Sequence, residues 1–546
     1  MKLKRTFVAP ALVAATALVS GGWLLQRGVA EKENVYQQAR VFDEVLHLLH
    51  GRHVNEPSSS ELYRMAIDGM VKELGDPHTT FMTQEEYREL YTQMSGEYAG
   101  IGAQVGERDG WATVIAPLPG TPAERAGVKA GDRIVEVEGK STQGMNVDAV
   151  VKLLRGAEGV PVNIRVVRFG VDEPIPFRLV REEIHLQSVP YAYLLGDGVG
   201  YVRLSIFNGT SSEEVAQTVA KLRRQGMKKL VLDLRENPGG LLEQGVRVSD
   251  LFLPRGKAVV ETRGRDPREN ITARATSPEL FPDVPMVVLV DAYSASAAEI
   301  VAGALQDHDR ALVVGATTYG KGSVQDLVPL SGGNFLKITS AKWYTPVGRS
   351  IQKDRKPGEE PDPLLEDGPV DETGTPIEAT KDTVTRKPYR TGGGRIVYGG
   401  GGIVPDVILL PDTATAAEKE FFRAAGKNAS KFNDVLFRYV VEYVRTHPNL
   451  QPSFAVTPEM RRELFNRLTA AKVGVTLEQY EGARSYIERR LGEEIAQQKF
   501  GPTVAAQRAH LHDRQVMGAL DLLRRSESQA ALFQAAQTYR AAVAGR

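Results

Sequence analysis

The stretch VVLVDAYSASAAE, residues 287–299, decides the fold of this chain because it runs from an apolar strand through a short turn into a helix. Ser296 ends the turn, so the N–H groups after it belong to the first helical turn and could hold an oxyanion. Small neighbours leave this serine open to a peptide carbonyl. The pattern predicts a nucleophile, although Ser-Ala-Ser before a helix is also an ordinary N-capping sequence.

A serine nucleophile needs a base, and the segment TYGKGSVQ, residues 318–325, offers Lys321 between two glycines that let the chain bend around it. A buried, neutral lysine amine could accept the serine proton, and Gln325 could orient it. A plain Gly-Lys-Gly turn is the alternative. Residues 315–321 also match most of a phosphate-binding P-loop, but Gly322 replaces the Ser or Thr that should follow the lysine, and no helix pattern begins there.

On both sides of these segments, the chain after Gly198 alternates between extended and helical patterns. The predicted strands are 199–206, 229–234, 285–290 and 311–314, and the predicted helices are 211–225, 241–253 and 297–306. This rhythm predicts a multidomain α/β chain with a sheet that is covered by helices and loops that carry the chemistry. Gly239 and Gly240 end one such strand, where the backbone could approach a ligand or form a plain turn.

Composition changes along the chain predict five regions. They are a signal peptide or membrane anchor at 1–30, a helical N-terminal domain at 31–95, a small domain of short strands and Gly-rich turns at 96–184, the α/β core at 185–412, and a helical C-terminal domain at 413–546. Residues 353–394 within the core are polar, Pro/Gly-rich and partly acidic, which indicates a long loop or disordered insertion without an assigned fold.

Overall composition excludes several function classes. Lys+Arg and Asp+Glu both number 68 in 546 residues, so no net field attracts nucleic acid. The chain has no Cys and no HExxH motif, and it therefore gives no support to thiol chemistry or a zinc hydrolase. The basic start MKLKR before the apolar run at residues 7–25 predicts export, and the length of the run favours an uncleaved anchor over a cleaved signal peptide.

Together these segments resemble the carboxy-terminal processing proteases, also called tail-specific proteases, over about residues 35–410. The resemblance rests on the Ser296 and Lys321 motifs, 25 positions apart, and on three further stretches at residues 69–78, 232–240 and 398–406. It implies a ClpP/crotonase-like layered core with an inserted PDZ-like domain. The implied catalytic groups are Ser296 as nucleophile, Lys321 as general base, Gln325 as its helper, and the N–H groups of Gly240 and Ala297 as oxyanion donors.

The resemblance also implies roles for residues outside this group. Ala298 departs from the commoner serine but removes no catalytic group. Asp307 matches an acidic position that some members need, and its alternative is a solvated carboxylate at a helix end. In the PDZ-like domain, the loop formed by Gly100, Ile101, Gly102 and Ala103 would receive the terminal carboxylate of a peptide. Arg155 matches an arginine that links peptide occupancy to the protease site, and its alternative is a surface charge.

The resemblance implies an exported endopeptidase, periplasmic or otherwise extracytoplasmic, that binds unstructured C-terminal tails and cleaves through an acyl-enzyme on Ser296. It would process or degrade exported proteins without a metal or organic cofactor, and it leaves self-association and an adaptor protein open. Two rival classes remain: a binding module that holds peptides or lipids without hydrolysis, and an acyl-CoA enzyme of the crotonase type. Ser296 and Lys321 argue against the first, and the PDZ-like segment would have no purpose in the second.

Overall fold

The structure is a computed structural model that describes residues 35–353 and 386–544. The apolar run at residues 7–25 and most of the polar insertion therefore lie outside the described residues. Within the described ranges, none of the helices combines the length and hydropathy that a membrane crossing requires. The chain divides into two compact units, one containing residues 35–83 and 326–339 and the other containing 84–325, 340–353 and 386–544.

The described elements are sixteen helices and twenty-one strands. The helices are α1 (35–52), α2 (Ser59–Glu73), α3 (Gln84–Ser95), α4 (Pro122–Arg125), α5 (Val147–Leu154), α6 (Ser211–Arg224), α7 (Leu242–Asp250), α8 (Ala297–Asp307), α9 (Ala416–Gly426), α10 (Ala429–Thr446), α11 (Pro458–Ala470), α12 (Leu477–Gly482), α13 (Arg484–Phe500), α14 (Pro502–His510), α15 (Arg514–Arg524) and α16 (Gln529–Ala544). The strands are β1 (Thr80–Met82), β2 (Glu97–Gly100), β3 (Ala103–Arg108), β4 (Trp111–Pro117), β5 (Arg133–Val137), β6 (Lys140–Ser141), β7 (Pro161–Val167), β8 (Ile175–Val180), β9 (Glu182–His185), β10 (Ala192–Gly196), β11 (Val199–Arg203), β12 (Lys229–Asp233), β13 (Ala258–Gly264), β14 (Ile271–Arg274), β15 (Met286–Val290), β16 (Leu312–Gly315), β17 (Ser323–Pro329), β18 (Phe335–Tyr344), β19 (Pro388–Arg390), β20 (Ile396–Tyr398) and β21 (Val407–Ile408).

The first unit contains α1, α2 and a short antiparallel pairing of β1 with the start of β18, in which Thr80 lies opposite Lys337. A reciprocal cap starts α2, because the Ser58 hydroxyl accepts the Glu61 N–H and the Ser58 N–H donates to the Glu61 carboxylate. Residues 74–79 separate α2 from β1.

The small domain predicted at residues 96–184 is built on an antiparallel sheet in the order β3-β4-β5-β7-β8, with β6 beside β5. Strand β3 lies at the edge of this sheet. Helix α5 begins where the Asn146 side chain accepts the Ala149 N–H, and its buried Val150 and Leu154 join the core of the domain. The edge strand beside a helix is the arrangement that peptide-binding domains use for strand addition.

The predicted layered α/β core is observed as a sheet in the order β10-β11-β12-β15-β16-β21, in which only β10 is antiparallel to its neighbour. Alternate residues of its strands point to opposite faces. On β12, Leu230 and Leu232 join the core formed with α6, α7 and α8, whereas Val231 joins the core formed with α15 and α16. Strands β12, β15 and β16 are parallel, so their following loops meet at one edge of the sheet.

Helix α8 is buried along its whole length, and a buried ion pair holds its C-terminal end. Asp307 lies 2.7 Å from Arg349, with both side chains fully buried, and its other oxygen accepts the Val347 N–H at 3.1 Å. At about 1.5 Å per residue, Asp307 is roughly 16 Å along the helix from Ser296. It is therefore a buried structural carboxylate at this helix end, not the solvated one that the sequence left as an alternative.

Two parts of the fold differ from the sequence prediction in detail. The end of the polar stretch 353–394, which received no fold, contains β19, and β19 pairs with β20. Arg395 stabilises this hairpin through ion pairs with Asp309, at 2.6 Å, and with Asp406. The C-terminal helices also divide into two groups, because α9 to α13 contribute to a core of their own while α15 and α16 cover the sheet.

We predict that Arg349→Met lowers the free energy of unfolding by about 3–5 kcal/mol, because it leaves the buried Asp307 carboxylate unpaired. Chemical denaturation followed by circular dichroism measures the change. The double variant Asp307→Leu/Arg349→Met should be less destabilised than the single variant. Arg268→Met, which removes an exposed ion pair, serves as the control. A loss below about 1 kcal/mol in Arg349→Met would contradict the role of this pair.

Candidate active site

Ser296 lies between β15 and α8 with a φ of 53°, a left-handed conformation that is costly for a residue with a side chain. The nearby Ser294 is used differently. Its hydroxyl accepts the Asp291 N–H at 2.9 Å and donates to the Leu234 carbonyl at 2.8 Å, and the residue is fully buried. Ser294 therefore shapes the turn, whereas Ser296 stands at the strained entry to the helix.

A single buried carboxylate joins the serine and lysine segments. One oxygen of Glu299 accepts the N–H groups of Ser296 at 2.8 Å and Lys321 at 2.9 Å. Its other oxygen accepts the Thr318 hydroxyl at 2.6 Å and the Gly320 N–H at 2.7 Å. Burial raises the pKa of Glu299, although these hydrogen bonds act in the opposite direction. Because all four partners donate, the geometry suits the ionised carboxylate.

Further backbone contacts hold the lysine segment against the serine turn. The Tyr319 N–H donates to the Ser294 carbonyl at 3.1 Å. The Lys321 carbonyl accepts the indole N–H of the buried Trp343 at 3.0 Å. Lys321 is half-buried. The chain continues into β17 rather than into a helix, which agrees with the rejection of a P-loop at residues 315–321.

The stretch at residues 398–406, which the sequence singled out without a role, supports the lysine segment. The Ile403 N–H donates to the Thr318 hydroxyl oxygen at 2.6 Å, and the Thr318 N–H donates to the Ile403 carbonyl at 3.2 Å. Gly402, at a φ of 94°, passes so close that a Cβ there would lie 2.2 Å from the Thr318 carbonyl oxygen. Only glycine fits this approach, so Gly402 has a packing role.

The loop after β12 approaches the serine turn from the other side. The Asn237 carbonyl accepts the Ala295 N–H at 2.9 Å, and the Asn237 side chain accepts the Gly239 N–H at 2.8 Å. Gly240 has a φ of 140°, and a Cβ there would lie 2.1 Å from the Phe207 carbonyl oxygen. Among the described residues, no group accepts a hydrogen bond from the N–H of Gly240 or Ala297. In the described part of the chain, these two N–H groups are therefore unpaired donors in the two loops that the Ala295–Asn237 hydrogen bond joins.

Two further predicted residues, Gln325 and Asp307, differ in their position relative to the Ser296 and Lys321 segments. Gln325 lies on β17, close in sequence to Lys321, and its side-chain amide donates to the Ser323 hydroxyl at 2.8 Å. Asp307 lies at the far end of α8 and contacts Arg349 instead of the serine turn. The structure thus brings the Ser296, Lys321 and Gly240 segments together and leaves Asp307 outside them.

Hydrogen bonds from the segment around helix α4 hold the predicted peptide-binding loop of the small domain. The Ile101 carbonyl accepts the Ala123 N–H at 2.9 Å, and the Gly102 carbonyl accepts the Thr121 hydroxyl at 2.8 Å. Ala103 follows as the first residue of the edge strand β3. Within the described residues, the N–H groups of Ile101 and Gly102 have no acceptor.

Arg155 lies next to this loop and is half-buried rather than a free surface charge. Its guanidinium carbon is 4.7 Å from the centre of the Tyr98 ring. A Cβ on Gly100 would contact both the Tyr98 ring, at 2.8 Å, and the Arg155 side chain, at 3.8 Å. One packed group is thus found at the end of β2, where the peptide-binding loop begins, and it consists of Tyr98, Gly100 and Arg155.

Sequence reasoning did not assign a role to Glu299 or Thr318, although the structure makes both central to the site. The signal for Glu299 was present, because Ser296 followed three residues later by a glutamate is a capping-box pattern. The contact of Thr318 with Ile403 joins residues 85 positions apart, and no local pattern reports it.

A cavity of about 1580 Å³ lies between the small domain, the segment around β9 and the C-terminal helices. Its lining includes Gln104, Pro119, His185 and Val441 but none of the predicted catalytic residues. The candidate active site is therefore defined by its hydrogen-bond geometry, not by the volume of a cavity.

Two protein-family models match parts of the chain. The model of peptidase family S41 matches residues 198–363, and the model of the PDZ domain matches residues 113–168. The first match covers the segments of Ser296, Lys321 and Gly240, and the second falls within the small antiparallel domain. The chain thus has an S41 peptidase core with a PDZ domain.

Relatives that match about three fifths of the chain carry a similar description. The chain is 37% identical over 350 residues to a carboxy-terminal-processing protease of Bartonella bacilliformis, covering 63% of this chain and 79% of the relative. It is 38% identical over 326 residues to a CtpA-like serine protease of Staphylococcus aureus, covering 60% of this chain and 63% of that protein. A solved structure of the photosystem II D1 C-terminal processing protease is 30% identical, with 61% of this chain and 95% of that chain covered and a TM-score of 0.34.

We predict that Glu299→Gln lowers the free energy of unfolding by about 3 kcal/mol, because the new amide NH₂ faces two of the four donors, and each buried donor left unpaired costs about 1–3 kcal/mol. Glu243→Gln is the matched control, since Glu243 on α7 is exposed and, within the described ranges, pairs only with Arg247 on its own helix. We expect a change below about 0.5 kcal/mol in the control. Equal stability of the two variants in urea would show that the Glu299 carboxylate does not join the segments.

Proposed function

The chain belongs to the family of carboxy-terminal-processing proteases, which are serine-type peptidases, and from this premise we propose that Ser296 is the nucleophile and Lys321 the general base of an endopeptidase. The observation that supports the assignment best is the Glu299 carboxylate, which accepts the backbone N–H groups of both residues through one oxygen. Two segments that are 25 positions apart in sequence are thereby held at one buried point. Such fixed placement is what a nucleophile and its base require.

The proposed reaction has two halves. In the first half, the Ser296 hydroxyl oxygen attacks the carbonyl carbon of the scissile peptide bond while the neutral Lys321 amine takes the hydroxyl proton. The tetrahedral intermediate collapses, the C–N bond breaks, and the lysine ammonium gives its proton to the leaving amine. In the second half, water attacks the acyl-enzyme ester, Lys321 takes a proton from the water and returns it to the Ser296 oxygen, and the product carboxylic acid leaves.

The oxyanion of each tetrahedral intermediate would be held by the N–H groups of Gly240 and Ala297. Both donors lack an acceptor among the described residues, and the hydrogen bond from the Ala295 N–H to Asn237 ties their two loops together. The N–H of Ala297 also belongs to the first turn of α8, where the helix dipole favours negative charge. In this proposal Gln325 orients the lysine and Asp307 supports α8 from its far end.

The PDZ domain would supply substrate recognition. We assign the terminal carboxylate of a protein tail to the loop of Gly100, Ile101, Gly102 and Ala103, where the N–H groups of Ile101 and Gly102 have no acceptor among the described residues. The tail would extend along the free edge of β3 by strand addition. Arg155 contacts Tyr98 and lies beside Gly100, so occupancy of the loop could be passed to the rest of the chain through this side chain.

The substrates would be exported proteins that present unstructured C-terminal tails, for processing or for degradation. The basis for this part is the pattern of basic residues followed by the apolar run at 7–25, which fits an exported or anchored chain. The ClpP/crotonase-like character of the layered core is proposed together with it. Self-association, an adaptor protein and anchoring by residues 7–25 stay predictions from the sequence.

We predict that Ser296→Ala and Lys321→Ala each reduce cleavage of an unfolded substrate protein by about a thousand-fold or more. A serine-reactive fluorophosphonate probe should label the wild type and fail to label Ser296→Ala. The controls are Ser141→Ala and Lys342→Ala, which alter exposed residues on β6 and β18 and should cleave at the wild-type rate. Full activity in either catalytic variant would refute the proposed pair.

We also predict that Arg155→Ala slows cleavage of a substrate with a free C-terminal tail about ten-fold while its circular dichroism spectrum stays that of the wild type. The control is Lys152→Ala on helix α5, which ends just before Arg155; Lys152 is exposed and pairs with Glu85 and Glu89. If both variants cleave the substrate at the wild-type rate, Arg155 does not couple the PDZ domain to the protease site. Comparison with a short peptide that cannot span both domains separates coupling from damage to the catalytic centre.

A further inference from the structure

The C-terminal helical region contacts the loop that carries the proposed oxyanion donor Gly240. We infer that Asp513 and Gln515, at the start of α15, are positioning residues for residues 235–240, which we call the oxyanion loop, and that they act through Arg235. This inference rests on the proposed function of Gly240 and gives the helical region a part in the reaction. Asp513 and Gln515 lie beyond residue 363, where the match to the S41 model ends.

Arg235 is the first residue of the oxyanion loop, and its guanidinium is held from two directions. One nitrogen, Nη1, donates to the Asp513 carboxylate and to the Gln515 side-chain oxygen, both at 2.8 Å. The Nε and Nη2 atoms donate to the carboxylate of the fully buried Asp233 at 2.6 to 3.0 Å. The Arg235 side chain is only 13% exposed, so the ion pairs are little screened by water.

The two C-terminal partners of Arg235 are themselves fixed. One oxygen of Asp513 accepts the Gln515 and Val516 N–H groups, at 2.9 and 3.1 Å, and thereby caps α15, while the other oxygen binds Arg235. The Gln515 amide donates to the Leu409 carbonyl at 2.7 Å and is nearly fully buried. Arg235 therefore meets two acceptors whose positions are set by the helix and by the strand that precedes Leu409.

A short, tightly bonded path connects Arg235 to the reacting groups. The next residue, Glu236, has a φ of 53°, and its N–H donates to Asp291 at 2.9 Å. Asn237 then binds the Ala295 N–H through its carbonyl and the Leu204 carbonyl through its side chain. These hydrogen bonds fix the backbone between Arg235 and Gly240. We therefore expect a shift of the Arg235 guanidinium to shift the Gly240 N–H, which is the proposed oxyanion donor. Shifts of about 1 Å at a catalytic group can cost about a hundred-fold in rate.

Helix α14 packs against the residues that surround Arg235. The His510 ring lies 4.5 Å from the Tyr201 ring, centre to centre, and the Tyr201 hydroxyl donates to Asp233 at 2.5 Å. Burial lowers the pKa of His510, so the ring that packs there is neutral over a wider pH range. Asp233, Arg235 and Asp513 are thus enclosed by the core sheet on one side and by the C-terminal helices on the other.

Other contacts between the helical region and the sheet lie at the opposite end of the strands. Arg524 pairs with Asp197 at 2.6 Å, in the turn before β11, and Lys229 at the start of β12 pairs with Glu527 at 3.0 Å. These pairs hold the helices on the sheet without touching the oxyanion loop. The two kinds of ion pair can therefore be compared. We expect loss of the Arg235–Asp513 pair to affect the reaction, and loss of the Arg524–Asp197 pair to leave it unchanged.

The test is steady-state hydrolysis of a fluorogenic peptide by full-length Asp513→Asn. Asparagine caps a helix about as well as aspartate, so the fold should be kept, while the Arg235 guanidinium loses one of its two charged partners and keeps Asp233. We expect kcat to fall about ten- to a hundred-fold with KM within about two-fold, and labelling of Ser296 by a fluorophosphonate to slow by a similar factor. The control Arg524→Gln should match the wild type in kcat and KM.

A double-variant cycle identifies the path. If Asp513 acts through Arg235, Arg235→Gln/Asp513→Asn should lose no more of kcat than Arg235→Gln alone, whereas independent effects would multiply. Should Asp513→Asn fail to fold, Gln515→Met carries the same test and the same expected loss. An unchanged kcat in the folded variant, with Ser296→Ala inactive, would overturn the inference and leave the proposed function standing. Wild-type cleavage by Ser296→Ala would instead refute the proposed function itself.

Discussion

The site depends on one buried carboxylate that accepts four hydrogen bonds. Glu299 binds the N–H groups of Ser296, Gly320 and Lys321 and the Thr318 hydroxyl, and its side chain is fully buried. An ionised group is kept in such a place only when its acceptor capacity is filled, so the serine and lysine segments must both be present and in register. The same constraint fixes the relative position of the two groups that the proposed reaction needs.

The remaining structure can be understood as support for this junction. Helix α8 carries Ser296 at its start and is anchored at its end by Asp307 and Arg349, while the sheet holds it from one face. The stretch that includes Ile403 holds the lysine segment through Thr318. The loops of the site follow parallel strands, and the packing of the apolar strands against helices on both faces keeps their ends together.

Much of this could be predicted from the sequence, because the determining signals are local. The alternation of strands and helices, the entry into α8 and the capping of α5 by Asn146 all depend on neighbouring residues. The contacts that were missed join distant positions: Thr318 with Ile403, and Arg235 with Asp513. A single sequence holds no signal for such pairs. The sequence of the turn at Ser296 is equally typical of an ordinary helix cap, and only the fold shows which residues surround it.

In the proposed mechanism, peptide hydrolysis passes through an ester on Ser296. The most direct measurement is mass spectrometry of enzyme that is quenched in acid during turnover of an activated ester of a short peptide. We predict that the mass of the enzyme increases by the mass of the acyl group. Digestion should locate this increase to the fragment that contains Ser296, and the increase should be missing in Ser296→Ala. Turnover without a covalent adduct, or an adduct on a different residue that persists in Ser296→Ala, would contradict this mechanism.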